Sequence, residues 1–198
     1  MKALIRLFDI LISLCGLLFL CPLFIIVAIW IVIDNPGPVF YRQQRVGLNG
    51  KDFGLIKFRS MRVGADKMSL ITIGERDLRV TRAGFYIRKY KLDELPQLIN
   101  VFIGDMSLVG PRPEVRKYVD LYTPEQQKVL TIKPGITDYA SIEYIDENAL
   151  LATSDNPDKT YVEEIMPAKI ALNMRYINHQ TIGEYFKIIV LTFVKIIR

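Results

Sequence analysis

The sequence predicts a membrane-attached α+β protein that is mostly helical and has a few short strands. Three observations lead to this class: an apolar run over residues 10–33, helical spacing of apolar side chains further along, and two short alternating segments on either side of Asn49-Gly50. The 198 residues, 51% of them apolar, suffice for one compact domain. Two cysteines and one histidine exclude disulfide scaffolds and multi-Cys or His-rich metal sites, so any chemistry falls to carboxylates and cations.

The net charge of +5 is concentrated near the start of the chain. Residues 1–67 hold nine basic and four acidic side chains, and the rest of the chain is balanced. Basic charge beside an apolar run indicates anionic lipid headgroups or phosphorylated substrates as partners. No motif typical of nucleic-acid binding is present, so no nucleic-acid partner is expected.

Residues 10–33 form the membrane segment, because they carry no ionised side chain and exceed the roughly 20 residues that a span needs. The run is longer than the apolar part of a signal peptide, and no small-residue cleavage site follows it. Basic residues flank both ends, which the positive-inside rule favours only if the segment enters and leaves by the same face. Pro22 offers a place to bend. From the residues alone, a straight span and a re-entrant helix both stay open.

The breaker Asn35-Pro36-Gly37-Pro38 ends this helix. Alternating apolar and polar residues predict short strands or extended segments over 39–41 and 52–58. The polar stretch 62–82 has no period and predicts a mobile loop. The remaining expectations are helices over 85–90, 124–130, 167–176 and 182–197, a turn over 133–137 and a loop over 152–160. The helix over 182–197 suits a position in the membrane interface, with burial in the core as the alternative.

Asp93 and Glu94 are the strongest chemical candidates. The apolar spacing of the following residues predicts a helix, and Pro96 is tolerated only in a first turn, so the helix is expected to begin at Asp93 or Glu94. A helix N-terminus favours the ionised forms of both carboxylates, which suits a metal ligand or an anionic nucleophile. The alternative is that Asp93 is an ordinary cap and Glu94 a favourable first-turn residue.

Arg112 lies in the stiff turn Gly110-Pro111-Arg112-Pro113. Proline on both sides restricts the backbone, and a guanidinium held in this way suits bidentate binding of a phosphate or diphosphate. A solvated arginine in a surface loop is the alternative.

These motifs, taken in order, resemble the bacterial sugar transferase family, also called monotopic phosphoglycosyl transferases. The resemblance covers nearly the whole chain and rests on PGPVFYRQQRVGLNGKDF, LIKFRSM, KLDELPQLINVFIGDMSLVGPRPE and KPGIT. It also includes the small residue before proline in the apolar helix, here Cys21-Pro22. The length is similar to that of the minimal catalytic form of the family.

The resemblance implies a Mg²⁺-dependent transfer of a sugar 1-phosphate from a UDP-sugar to undecaprenyl phosphate, with release of UMP. This is the first membrane step of capsule, exopolysaccharide or glycoprotein glycan assembly. Asp93 would be the nucleophile that forms a covalent phosphosugar intermediate. Glu94, together with Asp93, would be a Mg²⁺ ligand.

The resemblance also implies an architecture. Residues 1–36 would form a re-entrant anchor bent at Pro22, and residues 37–198 a catalytic domain on the cytoplasmic face of the bacterial inner membrane. The partners would be the phospholipid bilayer and the two substrates, with later glycosyltransferases and a second copy of the chain as further candidates. The residues expected around the substrate phosphates are Lys57, Arg59, Arg88 and Arg112, with Pro111 and Pro113.

Two places depart from the family pattern. Where many relatives read PGITGWAQV, this chain reads PGITDYASIEY, so Asp138, Tyr139 and Ser141 are candidates for sugar specificity. Asn173 stands where many relatives carry Asp, and the amide keeps an acceptor oxygen but loses the charge.

Two other classes of function compete with the transferase. A hydrolase would use the same Asp93 intermediate with water as acceptor, acting on a nucleotide sugar or a lipid diphosphate. A non-catalytic membrane scaffold would have no need for paired carboxylates.

Overall fold

A computed structural model of the chain describes residues 1–65, 77–145 and 147–197. The protein is mostly helical with four short strands in the described part, in agreement with the predicted class. The strands are β1 Phe40–Val46, β2 Asp52–Phe58, β3 Ser107–Val109 and β4 Gly135–Thr137. The α-helices are α1 Lys2–Asp34, α2 Arg82–Lys89, α3 Gln97–Ile103, α4 Arg116–Val119, α5 Tyr139–Glu143, α6 Glu147–Ala152, α7 Pro157–Thr160, α8 Met166–Asn178 and α9 Ile182–Ile197.

Helix α1 is long and apolar enough to cross a membrane, with Pro22 inside it. Only 11% of its most apolar window is buried against the protein, so most of its apolar surface faces outward. Its 33 residues correspond to a length of about 50 Å, more than the thickness of a hydrocarbon core. The predicted end before Asn35 is confirmed.

Both ends of α1 contact the rest of the protein. Near its start, the Arg6 guanidinium donates to the carbonyl oxygens of Val101 at 2.6 Å and Phe102 at 2.8 Å, at the end of α3. At its other end, the Asp34 carboxylate accepts from the N–H of Ala83 at 3.0 Å, in the first turn of α2. The globular part of the chain therefore holds α1 at two points.

Asp9 is a third point of attachment and is 2% exposed. One of its oxygens accepts hydrogen bonds from Ser107 Oγ at 3.0 Å, from Leu108 N–H at 2.9 Å and from Tyr185 Oη at 2.9 Å. Three elements distant in sequence, α1, β3 and α9, thus meet at one carboxylate. We call these four residues the Asp9 clasp.

The predicted strands on either side of Asn49-Gly50 are confirmed as an antiparallel hairpin, in which Phe40 pairs with Phe58. Asn49 and Gly50 both have positive φ, 55° and 73°, which these two residue types adopt readily in turns. The first strand continues to Val46, beyond the predicted residues 39–41.

Residues 133–137, predicted as a turn, contain the short strand β4, which pairs in parallel with β3. This pairing is long-range, so the local turn signal of Pro134-Gly135 could not indicate it. Gly110 and Gly135 approach so closely that a Cβ on Gly135 would lie 2.1 Å from Gly110 N. Both positions therefore require glycine.

The segment before Asp93 and Glu94, the pair that we call the dyad, differs from the prediction in its boundaries. Helix α2 begins at Arg82, three residues before the expected start, because Thr81 caps it by accepting from Gly84 N–H at 2.9 Å. Of the expected loop over 62–82, residues 66–76 lie outside the described residues.

The expected helix start at Asp93 or Glu94 is wrong: Leu92–Glu94 form a 3-10 turn and α3 begins at Gln97. Pro96 takes the cap position of α3 itself.

The helices over 167–176 and 182–197 are confirmed as α8 and α9. The expected helix over 124–130 is a 3-10 helix, Gln126–Thr131, and the expected loop over 152–160 includes the short helix α7. A cap at Asn156, which accepts from Lys159 N–H, explains that helix. Helix α9 buries Tyr185 and Ile188 and exposes Val190, Phe193 and Val194, as an amphipathic helix does.

Candidate active site

The two candidate carboxylates lie at the wall of a cavity of about 680 Å³, a size typical of ligand sites. Lys91, which precedes them, adopts a left-handed φ of 54°, and the 3-10 turn that follows presents Asp93 and Glu94 to the cavity. A non-glycine residue in this conformation is uncommon, and such strained positions cluster at active sites.

Glu94 is held by two cations. Arg112 Nη1 donates to Glu94 Oε2 at 3.0 Å while Nη2 donates to Oε1, and Lys57 Nζ lies 3.4 Å from Oε1. Burial opposes the charge of this carboxylate, but Arg112 and Lys57 together outweigh it and hold the pKa of Glu94 well below its usual range. Glu94 is therefore ionised and fixed in orientation.

The pKa of Asp93 is shifted in the opposite direction from that of Glu94. Burial, and then repulsion by the Glu94 charge, raises the pKa of Asp93, while Lys57 and Arg88 act in the opposite direction. The hydrogen bonds that reach the dyad from the described residues all end on Glu94. The ionised form of Glu94 is favoured as expected, but by Arg112 and Lys57 and not by a helix N-terminus, because α3 begins only at Gln97. At Asp93 burial raises the pKa, against the expectation.

The backbone around Arg112 is held by β4. Gly135 N–H donates to the carbonyl oxygen of Pro111 at 3.0 Å, and the N–H of Arg112 donates to Asp138 at 2.8 Å. The contacts with Gly135 and Asp138 fix the backbone at Arg112, whose guanidinium pairs with Glu94. This ion pair raises the pKa of Arg112 above its usual value.

The structure brings Lys57, Arg59, Arg88 and Arg112 to this one cavity, together with both members of the dyad. Arg59 is only 6% exposed and donates to the carbonyl oxygens of Asn35 and Pro36. Much of its hydrogen-bonding capacity therefore holds the chain that leaves α1, whereas Arg88 lies close enough to Asp93 to lower its pKa.

The residues proposed for sugar specificity divide into two groups. Ser141 lines the cavity, and its Oγ has no hydrogen-bond partner among the described residues. Asp138 and Tyr139 are not among the described residues that line it. Asp138 caps α5 by accepting from Ser141 N–H, and Tyr139 donates to Glu184 of α9.

Three other residues singled out from the sequence lie in the surrounding framework. Pro111 and Pro113 do not line the cavity in the described part of the chain, and their carbonyl oxygens accept from Gly135 N–H and Arg45 Nη1. Asn173 is buried, and its Oδ1 has no partner among the described residues.

A second set of polar side chains lines the same cavity, and the sequence did not indicate it. We call it the tyrosine cluster; it consists of Glu114, Tyr144, Glu147, Tyr161 and Lys169. Tyr161 donates to Glu114, and Lys169 Nζ lies 2.6 Å from Glu147 Oε2. Burial, and then the Glu114 charge, raises the pKa of Tyr161, so its hydroxyl remains a donor. Apart from the position of Glu114 next to Pro113, the sequence offers no local signal for this cluster.

Two carboxylates at this site, those of Asp93 and Glu94, could bind a divalent cation. Mg²⁺ is usually bound through one or two carboxylates together with substrate phosphates. Asp93 and Glu94 fit this pattern, and the described residues contain no group of three or more acidic, histidine or cysteine ligands elsewhere.

The sequence profile of the family described as "Bacterial sugar transferase" matches residues 1–198. The chain is 36% identical over 195 residues to a UDP-glucose:undecaprenyl-phosphate glucose-1-phosphate transferase from Xanthomonas campestris pv. campestris. The aligned region covers 96% of this chain and 38% of the relative. The chain is 34% identical over 190 residues to the protein of the same name from Escherichia coli (strain K12), covering 94% of this chain and 39% of the relative.

A third relative acts on a different sugar. The chain is 41% identical over 137 residues to a UDP-N-acetylgalactosamine-undecaprenyl-phosphate N-acetylgalactosaminephosphotransferase from Aeromonas hydrophila, covering 68% of this chain and 32% of the relative. The chain thus spans between 32% and 39% of the length of these three relatives.

Proposed function

The chain belongs to the bacterial sugar transferase family, and we propose that it transfers a sugar 1-phosphate from a UDP-sugar to undecaprenyl phosphate, with release of UMP. One observation carries the proposal. A half-buried Asp93, to which no described residue donates a hydrogen bond, lies beside a Glu94 fixed by two cations, in a cavity lined by further cations. Such a site combines an available nucleophile with positive charge for a diphosphate.

Asp93 would be the nucleophile. One of its carboxylate oxygens attacks the phosphorus that bears the sugar, and the bond from that phosphorus to the bridging oxygen breaks. UMP leaves with the electron pair, and the phosphosugar remains on Asp93. A phosphate oxygen of undecaprenyl phosphate then attacks the same phosphorus, which breaks the bond to Asp93 and regenerates the carboxylate.

The cations make this attack feasible, because a diphosphate otherwise repels an incoming carboxylate. Arg112 and Lys57 hold Glu94 while presenting positive charge to the cavity, and Arg88 lies near Asp93. We propose that Glu94 and Asp93 hold Mg²⁺ when substrate is present, where the ion would supply further neutralisation of the phosphate charge.

The acceptor is a lipid, so the site must lie near the membrane surface. The two ends of α1 contact α3 and α2 of the same globular body. A straight crossing would place those ends about 50 Å apart on opposite sides of a bilayer. We therefore propose that α1 is re-entrant, bends near Pro22, and leaves the catalytic residues on the cytoplasmic side of the inner membrane, where the positive-inside rule places its basic flanks.

UMP release tests the reaction. The detergent-purified protein is incubated with Mg²⁺, undecaprenyl phosphate and a panel of UDP-sugars, and both UMP and the lipid diphosphosugar are quantified. We expect release from at least one donor that depends on both metal and lipid over many turnovers. Sustained release without lipid would support a hydrolase, and absence of lipid product with every donor would contradict the transferase.

Labelling of single cysteines tests the topology. Cys15 and Cys21 are replaced by alanine, and one new cysteine is introduced at Lys2 or at Asn35 in separate variants. In sealed inverted vesicles, whose cytoplasmic face is outside, an impermeant maleimide should label both positions. Labelling of only one of them would contradict the re-entrant helix.

A further inference from the structure

Two cations meet at the end of helix α3, outside the cavity that holds the dyad. Arg6 of α1 and Lys133, just before β4, both reach Gly104, which ends α3 with a left-handed φ of 103°. A Cβ at Gly104 would lie 3.2 Å from Arg6 Nη2 and 3.4 Å from Lys133 Nζ. The two nitrogens therefore flank one small space, which a larger residue would partly fill. We call these three residues the Gly104 site.

Capping of α3 accounts for only one of the two cations. Arg6 donates to the carbonyl oxygens of Val101 and Phe102, as basic side chains often do at the end of a helix. Lys133 donates no hydrogen bond to the described residues. The fold therefore assigns no partner in the described part of the chain to the Lys133 ammonium.

The positive charge of the Gly104 site is not balanced by ion pairs. Among the described residues, neither Arg6 nor Lys133 pairs with a carboxylate. Burial, and then repulsion by Arg6, lowers the pKa of Lys133, and the more distant charges of Asp9 and Asp105 do not compensate. An ammonium has three N–H donors and a guanidinium five, of which the α3 carbonyls accept two, so donors remain for an anion.

The surroundings of the site favour a lipid over a free anion. Arg6 precedes the apolar run that begins at Ile10 by four residues, or about 6 Å along the helix. That distance is roughly the thickness of the headgroup layer of a bilayer. Four apolar side chains within two positions of Arg6 or Gly104 in the chain are exposed, namely those of Leu4, Leu7, Phe102 and Ile103.

We infer that the Gly104 site binds the phosphate of an anionic phospholipid, at the level where α1 enters the membrane. Arg6 and Lys133 donate to the phosphate oxygens, and the acyl chains lie along the exposed apolar side chains. Phosphatidylcholine carries the same phosphate but adds a quaternary ammonium, which two cations without a paired carboxylate disfavour. The inference concerns a surface outside the catalytic cavity and does not depend on the proposed reaction.

Thermal unfolding of the detergent-purified protein tests this site, because a ligand that binds only the folded state raises the unfolding temperature. The protein is titrated with phosphatidylglycerol, phosphatidylcholine or inorganic phosphate, and an apparent dissociation constant is obtained from each titration. We expect the wild-type protein to prefer phosphatidylglycerol to phosphatidylcholine. Lys133→Met should lower that preference about fivefold, the effect typical of one lysine near an anionic surface.

Matched variants separate the site from charge in general. Lys133→Arg keeps the charge and should keep the preference, and Lys133→Gln repeats the test if Lys133→Met does not fold. Lys128→Met removes an exposed lysine of the 3-10 helix Gln126–Thr131 and should keep the wild-type preference. Lys57→Met removes a cation of the catalytic cavity and should keep it as well.

Four outcomes would overturn the inference. The first is equal binding of the two phospholipids by the wild-type protein, and the second is an unchanged preference in both Lys133→Met and Lys133→Gln. The third is an equal loss of preference in Lys128→Met or Lys57→Met, which would indicate unspecific attraction or binding in the cavity. The fourth is binding of inorganic phosphate as tight as that of phosphatidylglycerol, which would identify a free anion as the ligand.

Discussion

The Asp9 clasp and the dyad both hold carboxylates that are at least partly buried, but the partners of these carboxylates differ. Asp9 receives three hydrogen bonds from neutral donors on β3 and α9. Glu94 is fixed by two cations, while Asp93 receives no hydrogen bond from the described residues. The hydrogen-bonded carboxylate of Asp9 holds three elements together, whereas that of Asp93 stays available for a reaction, as the proposed function requires.

Replacing Asp93 tests the functional side of this comparison and should have the largest effect. Asp93→Asn removes the nucleophile and should lower UMP release by at least about 10³-fold. Thermal unfolding in detergent should occur at an unchanged or higher temperature, because the substitution removes a charge that the site disfavours. Activity within tenfold of wild type would exclude the nucleophilic role.

Arg112→Lys tests whether the geometry of the cation matters as well as its charge. Lysine keeps the charge but cannot contact both oxygens of Glu94, so we expect a loss of roughly 10- to 100-fold in kcat/KM. Arg116→Lys is the control, because Arg116 forms an exposed pair with Asp52 at 2.6 Å and should leave activity unchanged. Equal rates for both variants would show that Arg112 acts only through its charge.

Asp9→Ala tests the structural side. It leaves three buried donors without their acceptor, and we expect a loss of roughly 1–3 kcal/mol in the free energy of unfolding. Asp9→Asn keeps the accepting oxygen and should retain most of that stability. The activity of the folded fraction should stay near wild type in Asp9→Asn, so a large loss there would mean that the clasp also serves catalysis.

The pH profile of activity tests the difference in pKa between the two neighbouring carboxylates, Asp93 and Glu94, and should show the smallest effect. Asp93 must be ionised to act as the nucleophile, and it becomes protonated as the pH falls. Because its pKa is raised, the acid limb of the kcat/KM profile should lie above the usual aspartate pKa of about 3.9. Lys57 lowers the pKa of Asp93, so Lys57→Met should move this limb to higher pH. A limb that stays in place or moves to lower pH would contradict the assignment.

The local features of the fold were predictable from local signals. The apolar run over 10–33 indicated α1 and its end, although the helix begins eight residues before the run, at Lys2. Asn49-Gly50 indicated the β1–β2 hairpin, and the apolar spacing of 182–197 indicated α9. The start of α3 was not predictable in the same way, because Pro96 is compatible with several positions near a helix start and the 3-10 turn before it depends on Lys91. The short strand β4 was missed because the strand with which it pairs, β3, lies 28 residues earlier.

The sequence by itself determined that this protein has an apolar helix long enough to enter a membrane, a carboxylate dyad and a rigid arginine turn, because each depends on residues that are neighbours in the chain. Only the tertiary structure decided how they act together. It paired Lys57 and Arg112 with Glu94, and it left Asp93 without a hydrogen-bond donor among the described residues. It also assembled the tyrosine cluster from segments between Glu114 and Lys169. The reason is physical: burial and ion pairing depend on distance in space, and the chain order does not fix that distance.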